Sequence, residues 1–362
     1  MIAGISKETW ETIAPRLNPF LKYEFFEALQ SSGSIGAEAG WLPVIHQTEK
    51  KDGALYTFAK NHSYGEYIFD WGWADAYARY GVAYYPKLTS MIPFTPATTS
   101  HFLMKEFNID KAKELLQRHE ELFQTNNFSS THFLFITDEE ISFFKDQDYL
   151  IRESIQYHFF NEGYKSFEDF LSQLKGRKAK QIRTERQHDQ LTITQYTKDA
   201  LTSEQGKQMY QFYLSTIEAK NSQDYLNEAF FERIFETMKD NILYVEATFK
   251  NKAVAGSLFF YDEEKLYGRY WGSVDFYEKL HFELCYYQGI DFCLQHNLRM
   301  FEAGAQGQHK IARGFRPIRT YSAHKIKHPA FKKAIEKFID DEKKSVVFAL
   351  NEYSQALPFK NK

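Results

Sequence analysis

Apolar positions along this chain recur with two spacings, every second residue in some stretches and every third or fourth in others. Those spacings predict strands and helices respectively. In the first half, Asn18 stands as an N-cap before a helix expected over Pro19 to Gln30. Trp41 to Ile45 and Ala54 to Lys60 are expected as strands joined by a Lys-Asp-Gly turn. An aromatic-dense segment follows, Tyr67 to Pro96. A helix is expected over Asp110 to Gln124, with Asp110 as its cap, and strands over His132 to Ile136 and Ile151 to Phe160.

Ser166 then caps a helix, SFEDFLSQL, with Asp169 in capping-box position, and this runs on into a basic stretch from Lys175 to Arg186. A strand at Leu191 to Tyr196 precedes helices at Ser203 to Ala219 and Asn227 to Lys239. Three strands follow, Ile242 to Phe249, Ala253 to Tyr261 and Lys265 to Trp271, with short turns between them. A long helix is expected over Phe276 to His296. After it come a strand at Met300 to Ala303, a glycine-rich loop, a strand at Tyr321 to Ile326 and a final helix from Pro329 to Asn351. Helix, helix, three-strand meander, helix, strand, loop, strand is an α+β order. It resembles the N-acyltransferase (GNAT) fold, in which a split central sheet cradles a thioester donor.

Composition narrows the class. A chain of 362 residues exceeds what one core usually supports, so two domains are expected. Hydrophobic residues at 43% exclude wholesale disorder. A formal net charge of −3 provides no global field for nucleic acid, so any such contact must come from a local basic patch. The two cysteines, Cys285 and Cys293, fall about two turns apart on a helix, beyond disulfide reach, and there is no CxxC or Cys/His quartet. No metal site is therefore expected. The N-terminal stretch lacks a basic segment followed by an apolar one, and no run of 18 apolar residues occurs. A cytoplasmic location is the expectation.

The densest candidate chemistry lies in FEAGAQGQHKIARGFRPIRTYSAHKIKH, Phe301 to His328. Glycines here allow positive φ and close approach to a ligand. Glu302, His309 and His324, with His281 and Glu283 on the preceding helix, include groups able to take a proton from an ammonium near neutral pH. Lys310, Arg313 and Arg316 can bind phosphate or carboxylate. The alternative is a Glu–His–Arg network that only locks the loop. A second cluster is Lys175, Arg177, Lys178, Lys180, Arg183 and Arg186, set against the single Glu185. Steps of three drift by about 60° on a helix, so these charges wind around it. They read either as a phosphate contact, to a coenzyme, nucleotide or RNA acceptor stem, or as a solvated helix. Trp71, Trp73, Tyr84 and Tyr85 are candidates to stack on an acceptor, with most other rings of their segment expected in the core. No Walker A loop, GxSxG elbow or HExxH motif is present.

YGVAYYPKLTSMIPFTP, SSTHFLF, QYHFFNEGYKSFEDFLSQL, LYGRYWG, HFELCYYQGIDFC, FEAGAQGQHKIARGFRP and TYSAH, in that order, resemble the Fem-like family of N-acyltransferases, of peptidoglycan biosynthesis or recognition type, within the GNAT superfamily. The resemblance spans about residues 18 to 340. It implies tandem GNAT-like domains, each a mixed central sheet flanked by helices: residues 1–165, and residues 166–362 with the EAGAQGQHK loop. It implies transfer of an acyl or aminoacyl group from acyl-CoA or aminoacyl-tRNA to an amine, such as a cell-wall precursor. Glu302, His309 and His324 are then catalytic candidates. Lys178, Lys180, Arg183, Gly304, Gln306, Gly307, Lys310 and Arg313 are donor-binding candidates, and Trp71, Trp73, Tyr84, Tyr85 and His281 acceptor-binding ones. A non-catalytic module that binds cell-wall or glycan precursors is the alternative.

Three departures stand out. Gln308 replaces the Glu of the family's GAQGEHK. Thr99, Ser100 and His101 follow PFTP where the family has Gly and Arg. Trp271-Gly272-Ser273-Val274-Asp275 replaces the glycine-rich pyrophosphate loop typical of GNAT enzymes, which weakens the case for an ordinary CoA site.

Overall fold

A computed structural model describes residues 2, 4–15 and 18–360. Twelve strands are numbered in chain order: β1 Trp41–Gln47, β2 Ala54–Lys60, β3 Lys87–Ser90, β4 Phe102–Leu103, β5 Ser130–Ile136, β6 Leu150–Phe160, β7 Thr192–Thr197, β8 Ile242–Phe249, β9 Lys252–Tyr261, β10 Lys265–Ser273, β11 Met300–Glu302 and β12 Arg316–Ile326.

The chain divides into two compact units, and neither is continuous in sequence. The first takes Met1–Ile155 and Arg319–Ala349, the second Gln156–Ile318 and Leu350–Lys362. The sequence expectation made a single cut after residue 165. The crossings instead fall inside β6, β12 and the last helix, Pro329–Gln355, so segments distant in sequence complete each unit.

In the first unit the strand order is β1-β2-β3-β5-β12-β6, with β4 on β2. β3 and β5 run parallel, while β1–β2, β2–β3 and β5–β12 are antiparallel. Helix Ile109–Thr125 is capped by Asn108, whose side chain accepts from the Lys111 N–H, rather than by Asp110. A helix absent from the sequence reading, Asp138–Asp146, opens on a capping box between Thr137 and Glu140. Phe102, Leu115, Phe133, Phe143 and Phe144 pack in one cluster, and Trp73, Tyr77, Tyr84, Phe331 and Ile335 in another.

The second unit has the order β6-β11-β10-β9-β8-β7. Helices Ser203–Ala219 and Glu228–Thr237 precede the antiparallel meander β8-β9-β10, and β11 returns parallel to β10. This is the α+β order that the sequence analysis tied to the GNAT fold. Gly272 lets the helix Ser203–Ala219 lie against β10: a Cβ there would stand 1.6 Å from the Phe212 carbonyl oxygen. The expected continuous helix from Ser166 into the basic run is instead two helices, Phe167–Ser172 and Gly176–Glu185. The expected helix from Phe276 starts only at Leu280, and Glu283–Tyr287 wind as a π-helix before regular helix resumes at Gln288. Among the described residues, no helix is long and apolar enough to cross a membrane.

Candidate functional site

β10 and β11 pair for only three residues, Lys265 to Tyr267 against Met300 to Glu302. Immediately beyond, β10 carries an irregularity between Gly268 and Tyr270 that shifts its register on β9. β11 meanwhile ends and the chain turns at Gly304, φ +82°, where an added Cβ would stand 3.7 Å from the Gly268 carbonyl oxygen. The two strands part here and leave a notch, in the second unit alone.

The glycine loop folds over this notch as a 3-10 turn, Gln308–Arg313, between left-handed glycines 307 and 314. Lys310 is buried, and its Nζ donates to the carbonyls of Ala303 and Gly304 at 2.5 and 3.1 Å. Burial pushes its ammonium down to about 7, because only neutral carbonyls compensate for the water it has lost. His309 is exposed at the surface of the loop, and its Nε2 meets the Tyr286 hydroxyl at 2.8 Å. Burial, then the charges of Arg313 and Lys310, hold its pKa below the usual value, so the ring is neutral at pH 7. His281 packs 4.7 Å from the Trp271 ring and 5.3 Å from Tyr286, and burial drives its pKa down to about 3. Glu302, also buried, pairs with Lys265 at 3.3 Å. The arrangement brings neutral nitrogen bases together with phenolic and ammonium donors.

The sequence profile of the FemAB-like family, described as peptidoglycan biosynthesis/recognition, matches residues 1–361. This chain belongs to the FemAB-like family. FemX shares 10% identity with it at a TM-score of 0.57, over 92% of this chain and 98% of that one. The C-terminal domain of a putative lysylphosphatidylglycerol synthetase from Agrobacterium fabrum shares 11% at 0.54, over 86% and 96%. L-PGS from Bacillus licheniformis shares 9% at 0.54, over 90% and 98%. At these identities the likeness is one of fold. No curated protein matches in sequence. Membership of the FemAB-like family, with that description, supports a transferase role in cell-wall synthesis.

Of the residues singled out in this FemAB-like sequence, the notch gathers Glu302, Gly304, Gly307, His309, Lys310, Arg313 and His281. Arg313 is not free for a ligand. Its Nε and Nη2 donate to Glu185 at 3.0 and 2.8 Å, its Nη1 donates to the His309 carbonyl at 2.7 Å, and its guanidinium lies 3.4 Å from the Phe282 ring centroid. Gln306 is exposed on the loop. Gln308, at the departure from GAQGEHK, donates to the Tyr353 hydroxyl.

On the basic helix Gly176–Glu185, Arg183 forms an exposed pair with Glu168 at 2.6 Å, Lys178 donates to Gln181 at 3.2 Å, and Lys180 is exposed. Arg186, just beyond, is held by Glu283 and Asp291 at 3.1 and 2.5 Å. The charge run is therefore partly consumed by internal pairs. Its one acid, Glu185, proves the most connected member.

His324 belongs to the first unit, whereas Glu302 and His309 belong to the second. It is buried against His132, with Nδ1 atoms 2.7 Å apart, and burial drives its pKa far down. Two neutral imidazoles, one donating to the other, satisfy that contact. Trp73 and Tyr84 are likewise core: Trp73 packs on His324 at 5.0 Å, and the Tyr84 hydroxyl donates to Asp70 at 2.6 Å. Tyr85 is half-buried and bonds Ser63 at 2.8 Å. Trp71 remains 41% exposed, beside Tyr64 at 5.0 Å, so it alone of these four presents a free face. His101 at the PFTP departure is buried between Glu140, 3.0 Å away, and the Leu134 carbonyl, also at 3.0 Å.

Sequence reading missed the buried ion cluster of the first unit. Lys60 and Lys87 are cross-strand neighbours with no exposure, neutralised by Glu66 and Asp70. Only the β2–β3 register reveals that two lysines face each other and require acids between them. Among the described residues, no group of three or more His, Cys, Asp or Glu is placed to hold a metal ion.

Proposed function

We propose that this FemAB-like protein transfers an acyl or aminoacyl group to an amine on a cell-wall precursor, with the chemistry at the β10–β11 notch. The observation that carries this reading is Lys310, a buried amine whose pKa is lowered to about 7, bonded to the two carbonyls where the strands part and adjacent in sequence to neutral His309. In such a transfer the acceptor nitrogen attacks the donor carbonyl carbon, a C–N bond forms and the C–O or C–S bond to the carrier breaks. The acceptor's surplus proton goes to His309, whose Nδ1 is open while Nε2 is held by Tyr286. The departing oxygen or sulfur takes a proton from the Lys310 ammonium, which burial makes a stronger acid than an ordinary lysine. Glu302, through Lys265, anchors the end of β11.

The donor reading favours aminoacyl-tRNA over acyl-CoA. The segment after β10 offers Val274, Asp275 and Phe276 where a CoA pyrophosphate would need glycine N–H groups, and Arg186 and Arg313 are already paired. The reaction is assigned to the cytoplasm, where both kinds of donor are made.

The test is a mass-spectrometric assay of a muropeptide precursor incubated with the protein and either charged tRNA or acyl-CoA. An added aminoacyl or acyl mass that disappears in His309→Ala supports the reading. Saturable precursor binding with no added mass from any donor would replace it with the binding-module alternative.

A further inference from the structure

Glu185 belongs to none of the groups so far given a chemical role, yet it is the hub behind the notch. It sits at the end of the helix Gly176–Glu185, 4% exposed, and accepts four hydrogen bonds. Two come from Arg313 at 3.0 and 2.8 Å, one from the Gln181 amide at 2.8 Å and one from the Tyr287 hydroxyl. Arg313 in turn donates with its remaining arm to the His309 carbonyl and lies over Phe282, 3.4 Å from the ring centroid. A guanidinium held by a fork of two parallel bonds has one orientation, so the carbonyl it reaches is fixed as well. Tyr287 and Tyr286 are neighbours in the π-helix, and Tyr286 holds the His309 ring. Glu185 therefore reaches His309 by two routes: Arg313 to its backbone, and the π-helix to its imidazole.

We propose that Glu185 is a positioning residue for His309, fixing the orientation of the imidazole through Tyr287 and the π-helix that carries Tyr286, and the loop backbone and the charge around the ring through Arg313. The proposal rests on the reading of His309 as the proton acceptor in transfer. The groups that face His309 are Tyr286 and His281 from the helix beginning at Leu280, and Lys310 and Arg313 from its own loop. Of these only Arg313 carries a full charge across the neutral range, and Glu185 is the carboxylate that offsets it. With that offset gone, the uncompensated guanidinium disfavours the imidazolium more strongly.

The experiment is an NMR titration of the His309 ring in the whole protein, assigned by comparison with His309→Ala. In Glu185→Gln the His309 midpoint should fall by about half a pH unit or more, and Glu185→Asp should restore part of the difference. In the transfer assay kcat should drop on the order of tenfold while KM for the precursor stays within about twofold, because the residue touches neither substrate. A His309 midpoint and line position unchanged in Glu185→Gln would overturn the proposal and leave Glu185 as a brace for its helix. Should that variant fail to fold, Arg313→Lys takes its place. Lysine keeps the charge but cannot serve Glu185 twice and the His309 carbonyl at once, and an unchanged His309 line position there would overturn the proposal equally. The titration is read in the resting protein. Absence of transfer from every donor would therefore sink the proposed function without touching this one.

Discussion

Replacing Lys310 with methionine tests whether burial in the notch lowers the pKa of this amine. Methionine keeps the length and most of the volume of the side chain and removes the proton. Lys310 titrates at about 7 when folded, against 10.5 in the unfolded chain. Between those values the unfolded chain binds a proton that the folded chain does not, so stability rises with pH across the window, by about 1.4 kcal/mol per pH unit. Below about 7 both states are protonated, above 10.5 neither is, and the slope from this group vanishes at each end. The full window is worth about 5 kcal/mol, and the part from pH 7 to 10 about 4 kcal/mol. The variant lacks this slope. It also loses the bonds to Ala303 and Gly304, about 1 kcal/mol each and without much pH dependence. Urea unfolding of both proteins at pH 7, 8, 9 and 10 gives the comparison, and other titrating groups, Lys60 included, cancel in the difference. The wild type should gain on the variant by about 1.4 kcal/mol for each pH unit. A gap constant from pH 7 to 10 would mean that burial does not lower the Lys310 pKa, and the notch would lose the easily released proton that its proposed chemistry gives to the leaving group.

Three other substitutions have outcomes fixed by the geometry. Lys87→Met leaves Glu66 and Asp70 buried with only Lys60 beside them, and urea unfolding should show a loss of about 3–5 kcal/mol; a loss below about 1 kcal/mol would show that water reaches the cluster. Gly272→Ala puts a methyl 1.6 Å from the Phe212 carbonyl, so the helix Ser203–Ala219 must shift, and the melting transition should reflect a cost of about 3 kcal/mol or more. An unaltered melting curve would contradict the close approach. His309→Ala changes an exposed side chain and should leave thermal unfolding nearly unchanged while lowering transfer by about a hundredfold. Full activity in that variant would move the proton acceptor to Glu302 or Lys310.

Local chemistry carried much of the legible part. Thr202 and Gln205 cap Ser203–Ala219, which begins and ends where the periodicity put it. The meander β8-β9-β10 falls within two residues of its expected bounds. Helix starts were less secure: Asn108 displaced Asp110 as a cap because either side chain can accept from the first turn, and the choice depends on the φ/ψ of the preceding residue. The expected helix begins at Phe276, yet that residue is 91% exposed in the loop ahead of Leu280.

For the site, the sequence by itself determined the ingredients: a glycine loop rich in titratable groups after a short strand, and a family resemblance along most of the chain. Which ingredients meet was decided in three dimensions. His324 lies only fifteen residues beyond His309, but β12 passes from one compact unit to the other between them, so the two histidines serve different cores. Glu185 looked like the exception in a basic run. It became the partner of Arg313, 128 positions away, because a buried guanidinium requires a carboxylate and the folded chain brings this one within reach. Spacing and periodicity are properties of neighbours along the chain. Burial, register and the charge surrounding a group arise from residues far apart in it, and here those decide which nitrogen is neutral and which cation is already spent.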